Sequence, residues 1–193
     1  MNMPESVEPF LAPLESIQHL LKKFNQQGVV IGGVAASLLG KPRYTADVDA
    51  VFLLSVDEIP QFIESAKAEG IVPRIQNADE FARQNRVLLL KHTATEIGVD
   101  ISLGILPFEQ EMVERGVVIS IGRLSIRLPT PEDLIILKAI AHRPKDLEDI
   151  RTIADKNPDL DTARIEHWVK SFAQILEMPD LWDDLTGLLG SQK

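Results

Sequence analysis

The chain has 193 residues, no cysteine and a formal net charge of −9 at pH 7. That length supports one substantial core with a helical appendage, and 45% apolar with 25% charged residues is ordinary for a globular protein. Absence of cysteine excludes disulfides and thiolate metal sites, and the acidic balance lacks the broad basic footprint of a general nucleic-acid binder. No apolar run is long enough to span a bilayer and no signal segment opens the chain, so the expected setting is cytoplasmic, with no membrane partner.

In chain order, residues 1–12 hold two prolines without periodicity and read as a loose lead-in. Leu14, Ile17, Leu20, Leu21 and Phe24 then form an apolar stripe, which predicts a helix from Pro13 to Gln27 ended by Gly28. Val29–Ile31 reads as a strand, Gly32-Gly33 as a turn, Val34–Leu39 as a short helix, and residues 41–45 as a basic loop before a second strand. Asp57–Glu69 reads as a helix stopped by Gly70, and residues 71–85 are ambiguous apart from a short helix at Ala78–Gln84. Arg86–His92 and Glu96–Leu103 form one expected hairpin, and Val117–Ile121 with Leu124–Leu128 another, bridged by a helix at Pro107–Arg115.

From Thr130 the pattern turns helical. Thr130-Pro131-Glu132-Asp133 supplies a capping hydroxyl, a proline suited to the first position and acids in the first turn. The stripe Leu134, Leu137, Ile140, Ala141 predicts a helix buried along one side. Arg143-Pro144 breaks it, and further helices follow at Lys145–Lys156, Thr162–Glu177 and Asp180–Leu189. The expected fold class is therefore α+β: a core over residues 1–128 and a helical region over 129–193.

The second strand carries Asp47 and Asp49. Side chains alternate across a strand, so both carboxylates share one face, with Cα atoms roughly 6.5–7 Å apart. Like charges there repel unless a cation lies between them, and an all-oxygen pair suits Mg²⁺ or Mn²⁺ together with substrate phosphates. Asp100 is a third acid, placed with Ser102 opposite the apolar Ile97, Val99, Ile101 and Leu103. Upstream, Gly32 and Gly33 permit close backbone approach, and the helix start after them is a natural phosphate seat. The histidines are scattered, and there is no Walker loop, Gly-x-Ser-x-Gly motif or Cys/His pair, which removes the P-loop and common hydrolase readings. Lys41, Arg43, Lys91, His92, Arg143 and Lys145 are the cations from which a local RNA-binding patch would have to be built.

Gly32-Gly33, Arg43, Thr45, Asp47 and Asp49 together resemble the signature of the DNA polymerase β-type nucleotidyltransferase superfamily. The finer form GGVAASLLGKPRYTADVD is most similar to small bacterial toxin-like nucleotidyltransferases of the abortive-infection type. A second stretch, Thr130…Lys138…Arg143…Lys145-Asp146…Asp149, resembles the same family's Thr…Lys…Arg…Arg-Asp-x-x-Asp pattern, with lysine where arginine is commoner. The resemblance implies a nucleotidyltransferase fold, with a mixed sheet flanked by helices and a helical C-terminal part packed on it. It also implies an NTP co-substrate with Mg²⁺ or Mn²⁺. Asp47, Asp49 and Asp100 would be catalytic and hold the metal; Gly32, Gly33, Arg43, Thr45, Lys138 and Asp149 would serve the nucleotide. The implied reaction moves an NMP to an acceptor hydroxyl. RNA, such as tRNA, or protein is favoured over a small molecule, as one half of a toxin–antitoxin or phage-defence pair with a cognate partner. The rival expectation is a silent copy of the fold retained as a binding partner or antitoxin.

Overall fold

A computed structural model describes residues 5–189. Glu5–Phe10 forms a 3-10 helix whose Val7 and Phe10 are buried, so this part of the expected loose lead-in is ordered; residues 1–4 lie outside the described residues. Helix α1 (Leu11–Lys23) follows, burying Leu14, Ile17, Leu20 and Leu21. It stops before the expected Gln27 because Asn25 and Gln26 adopt left-handed conformations (φ 53° and 60°) that turn the chain into the sheet.

That sheet is mixed and five-stranded, in the order β1 (Gly28–Ile31), β2 (Asp47–Phe52), β5 (Gly98–Leu103), β4 (Val87–His92), β3 (Ile71–Pro73). Strands β2 and β5 run parallel; the other neighbours are antiparallel. Helices α2 (Gly32–Leu39), α3 (Ile59–Ala68), α4 (Ala78–Asn85) and α5 (Pro107–Arg115) connect the strands. Alternation sorts the faces. Val48, Ala50, Leu88, Leu90, Val99 and Ile101 have no exposed surface, whereas Asp47, Asp49 and Asp100 on the opposite face are half-buried. Phe24, Phe52 and Phe62 stack at centroid separations of 4.9–6.4 Å and fix α1 and α3 against β2. Strand β3, three residues long and ending in proline, lay in the ambiguous 71–85 stretch; it is too short for alternation to register. A separate hairpin of β6 (Val117–Ile121) and β7 (Leu124–Leu128) turns at Gly122 (φ 58°), and β7 lies against α1 and β1.

The chain divides into two compact units, with the division inside α2. One runs through Ala35 and resumes at Arg43–Pro129; the other comprises Ala36–Pro42 and the chain from Thr130. The second unit contains α6 (Pro131–Ala141), α7 (Pro144–Lys156), α8 (Thr162–Ile175) and α9 (Leu181–Thr186). The Thr130 hydroxyl accepts from the Asp133 N–H (3.3 Å) to start α6, and His142 ends it in a left-handed conformation. The predicted one-sided stripe of α6 is corrected. Asp133, Ile135, Ile136, Lys138 and Ala139 are buried with Leu134, whereas Leu137 and Ile140 are partly exposed and Ala141 is exposed. Neighbours surround this helix, so charged groups are buried in it and must be paired. Arg164 on α8 supplies one partner, its Nε donating to Asp133 at 2.8 Å. Lys156 on α7 donates to the Leu38 and Gly40 carbonyls, and Asn157 to that of Leu39, tying 36–42 to α7. Among the described residues no helix is long and apolar enough to cross a membrane.

Candidate active site

Strand pairing assembles the acids. Asp49 on β2 stands in register with Asp100 on the parallel β5, and Asp100 with Leu89 on β4. Asp47 pairs with Gly98, which has no side chain to fill the space beside it. One carboxylate oxygen from each of Asp47, Asp49 and Asp100 lies within 4.8 Å of the other two. Around octahedral Mg²⁺, at about 2.0–2.1 Å each, adjacent ligands stand about 2.9 Å apart and opposite ones about 4.2 Å, so the trio must draw together to share one ion. Asp100 Oδ1 is buried and meets no donor in hydrogen-bond geometry, so it keeps lone-pair capacity that a metal ion could use. The all-oxygen donor set, the spacing and this lone-pair capacity fit a hard divalent ion.

A cation, Arg74, stands against Asp100. Arg74, the residue after β3, places Nη2 at 2.9 Å from Asp100 Oδ1 and 3.0 Å from Oδ2; only the second contact has hydrogen-bond geometry. Burial pushes the Asp100 carboxyl above its ordinary value; Arg74 opposes this and the charge of Asp47 adds to it.

The diglycine and the basic loop meet this strand directly. Gly32 has φ 68°, and a Cβ there would lie 1.9 Å from Asp49 Oδ2. A Cβ on Gly33 would lie 2.4 Å from the Thr45 hydroxyl. Both glycines therefore let α2 begin against β2, with Asp49 and Thr45 seated on them. The Thr45 hydroxyl donates to Asp47 Oδ1 (3.3 Å), and Arg43 donates to the Tyr44 carbonyl (2.9 Å). Five sequence-expected positions thus gather around Asp49 and Asp47: Gly32, Gly33, Thr45, Asp100 and, 3.4 Å from the Cβ position of Gly33, Arg43 Nη1.

Lys138 and Asp149 come together within the helical unit. Lys138 Nζ lies 2.9 Å from Asp146 Oδ1 and 2.9 Å from Asp149 Oδ2, with 6% of the lysine side chain exposed. Arg143 also donates to Asp146. Burial alone would raise the Asp146 carboxyl, but hydrogen bonds and charge from Arg143 and Lys138 outweigh it and hold it below its ordinary value. This set is a closed ion network. Of the cations expected to offer an RNA patch, Lys91 pairs with Glu96, His92 is buried beside the Thr95 hydroxyl, and Arg143 is engaged with Asp146.

Arg74 was not among the sequence candidates. It stands just past a strand too short to read, 26 residues from its partner, and no spacing rule links the two. The fourth member of the helical network, Asp146, was visible only as part of the second motif.

Residues 13–178 match the family described as "Nucleotidyl transferase of unknown function (DUF2204)". No curated protein matches the sequence. The fold is similar to an antigenic nucleotidyltransferase-like protein from Paracoccidioides brasiliensis, 18% identical, with a TM-score of 0.55 over 95% of each chain. It is also similar to the antibiotic-resistance factor ANT(2'')-Ia, 14% identical, with a TM-score of 0.57 over 86% of this chain and 92% of that one.

Proposed function

The chain belongs to the nucleotidyl transferase family of unknown function (DUF2204), and from that premise we propose that it moves an NMP from an NTP to an acceptor hydroxyl at the Asp47–Asp49–Asp100 cluster. The observation that carries this reading is the convergence of three carboxylates, one with a buried oxygen that meets no donor in hydrogen-bond geometry, on a single face of the sheet. Asp47 and Asp49 would hold Mg²⁺ or Mn²⁺, with Thr45 fixing the Asp47 carboxylate and Gly32 giving Asp49 its seat. When bound, the ion supplies charge neutralisation for the triphosphate and the departing pyrophosphate. Asp100 receives the proton of the acceptor hydroxyl as that oxygen bonds to the α-phosphorus and the bond to pyrophosphate breaks. Arg43 and the first turn of α2, beginning at Gly32-Gly33, supply the phosphate contacts. Lys138 and Asp149 act through the packing of the helical unit, because the lysine charge is already matched by two carboxylates.

RNA or protein is the acceptor class this reading takes, in keeping with the toxin-like form of the motif, and a cognate antitoxin or partner protein follows from it. The test is incubation of the purified protein with each α-³²P-labelled NTP, Mg²⁺, total tRNA and cell lysate. A labelled RNA or protein band that disappears in Asp49→Ala is the expected result. Label on a small molecule instead overturns the acceptor class. Absence of transfer to any acceptor, with no thermal stabilisation by NTP and Mg²⁺, overturns the reading in favour of a silent binding protein.

A further inference from the structure

The arginine beside the third aspartate stands in a cross-strand row. Its backbone N–H donates to the Leu89 carbonyl (3.0 Å), extending the β3–β4 ladder one residue beyond β3. Leu89 is in register with Asp100, and Asp100 with Asp49. Strands are about 4.8 Å apart, so Arg74 must cross β4, roughly 10 Å, to reach β5. A long guanidinium side chain does this, and its end is seated over Gly98. A Cβ on Gly98 would lie 2.7 Å from Arg74 Nη1 and 3.6 Å from the Cβ of Asp47. The absent side chain at Gly98 thus leaves room for the guanidinium beside the acids. There Arg74 Nη2 lies at 2.9 and 3.0 Å from the two oxygens of Asp100. Its Nη1 also approaches the Leu90 carbonyl at 3.5 Å, and a third of the side chain is exposed.

We propose that Arg74 is a positioning residue that occupies Asp100 in the cation-free protein and withholds it from the metal ion until another anion takes the guanidinium. This rests on the reading of Asp47, Asp49 and Asp100 as the cation site. The guanidinium removes part of the repulsion among three close carboxylates, and it opposes an arriving ion both by charge and by holding a ligand. Phosphate is the anion that would draw it away, since guanidinium pairs with phosphate oxygens in a two-pronged geometry and the triphosphate is the substrate. Asp100 then completes the ion's coordination only when the nucleotide is present. Ion and substrate are thereby coupled through one side chain.

The test is a double-mutant cycle on Mn²⁺ affinity, read by electron paramagnetic resonance without nucleotide. Arg74→Gln should bind Mn²⁺ about tenfold more tightly than the unmodified protein, because a competing charge is gone and Asp100 is released. Arg74→Lys, which restores the charge, should return affinity most of the way. Asp100→Asn alone should change affinity less than about threefold, and Arg74→Gln with Asp100→Asn should lose most of the gain. Equal or weaker binding in Arg74→Gln overturns the inference, as does a gain that survives Asp100→Asn. Mn²⁺ binding that Asp47→Asn abolishes keeps the cation site itself standing in either case. If no Mn²⁺ binding sensitive to Asp47→Asn is found, the cation site and the inference fall together. Thermal melts of each variant, expected close to the unmodified protein, separate these outcomes from misfolding.

Discussion

Two clusters of acids and bases stand out among the described residues, and they differ in how far their carboxylates are closed off from solvent. In the helical unit, Asp146 and Asp149 face Lys138, with Arg143 on Asp146, so two carboxylates meet two cations. On the sheet, Asp47, Asp49 and Asp100 converge, and Arg74 pairs with one of them. The carboxylates of the helical set are sealed, with Asp146 and Asp149 side chains 0% and 4% exposed beneath a half-exposed Arg143; the sheet acids are half-buried and reachable. Burying unmatched charge is prohibitive, so a sealed cluster must neutralise itself and then needs nothing further. Carboxylates drawn together at an accessible face repel one another, and solvent or a cation relieves that repulsion. The same residue types thus close on one another in one place and, under the proposed function, serve chemistry in the other.

Paired substitutions test that division most strongly. Asp47→Asn should lower nucleotidyl transfer by at least about a thousandfold, since a ligand of the cation is lost. Its melting temperature without divalent ions should hold or rise, because one of three repelling charges is gone. Lys138→Met should do the reverse. Removing one partner of a buried ion network costs about 3–5 kcal/mol, which in a chain of this size lowers the melting temperature by on the order of 10 °C. If Lys138→Met melts normally yet no longer transfers, the lysine belongs to the nucleotide machinery and the contrast collapses.

A smaller effect is expected at the glycine that joins α2 to the acidic strand. Gly32→Ala meets φ 68° and the Asp49 carboxylate 1.9 Å from the new Cβ, so either α2 or Asp49 must move. The left-handed conformation alone costs a non-glycine residue about 1–2 kcal/mol. Displacing Asp49 should weaken Mn²⁺ binding measurably in the same variant. A melt and a Mn²⁺ titration check this; a loss of stability with unchanged Mn²⁺ affinity would separate the glycine from the cation site.

Much of the sheet site was legible because strands obey a two-residue period. Asp47, Asp49 and Asp100 each sit opposite fully buried apolar neighbours, so their shared face could be read from alternation. The diglycine and Thr45 were legible as motif members, though not as the seats that hold Asp49 and Thr45 against α2. What alternation cannot supply is register between distant strands. The Asp49–Asp100 pairing and the reach of Arg74 across β4 are tertiary facts, and β3 is too short to announce itself. In α6 the predicted stripe failed because a helix enclosed on most sides has no polar face; Asp133, read as a first-turn acid, and Lys138, read as a nucleotide contact, are buried in it. Their charges were visible in the sequence; their partners were not.

The finest test of the contrast is the pH dependence of stability, where the two clusters should pull in opposite directions. Burial raises the folded pKa of Asp100 above its ordinary 3.8, with Arg74 opposing and Asp47 adding to the rise. The folded protein therefore holds a proton there more tightly than the unfolded chain does. Stability from this group falls as pH climbs from 3.8 through the folded pKa, and stays reduced above it. Asp146 is the opposite case: burial is outweighed by Arg143 and Lys138, so its folded pKa lies below 3.8. Its contribution is fully present above 3.8 and is lost as pH falls through the folded pKa. Other carboxylates shape the whole acid limb, so the informative quantity is the difference between each variant and the unmodified protein in urea unfolding at stepped pH. Asp100→Asn should remove a decline above 3.8, and Asp146→Asn should remove a gain below it. Under the proposed function Mg²⁺ takes the acids in their ionised form, so its stabilisation should grow across the same interval in which Asp100 loses its proton. Identical difference curves for the two variants would mean that both clusters are structural. The gathering of acids on the sheet would then be an accident of strand pairing and no longer a place prepared for a cation.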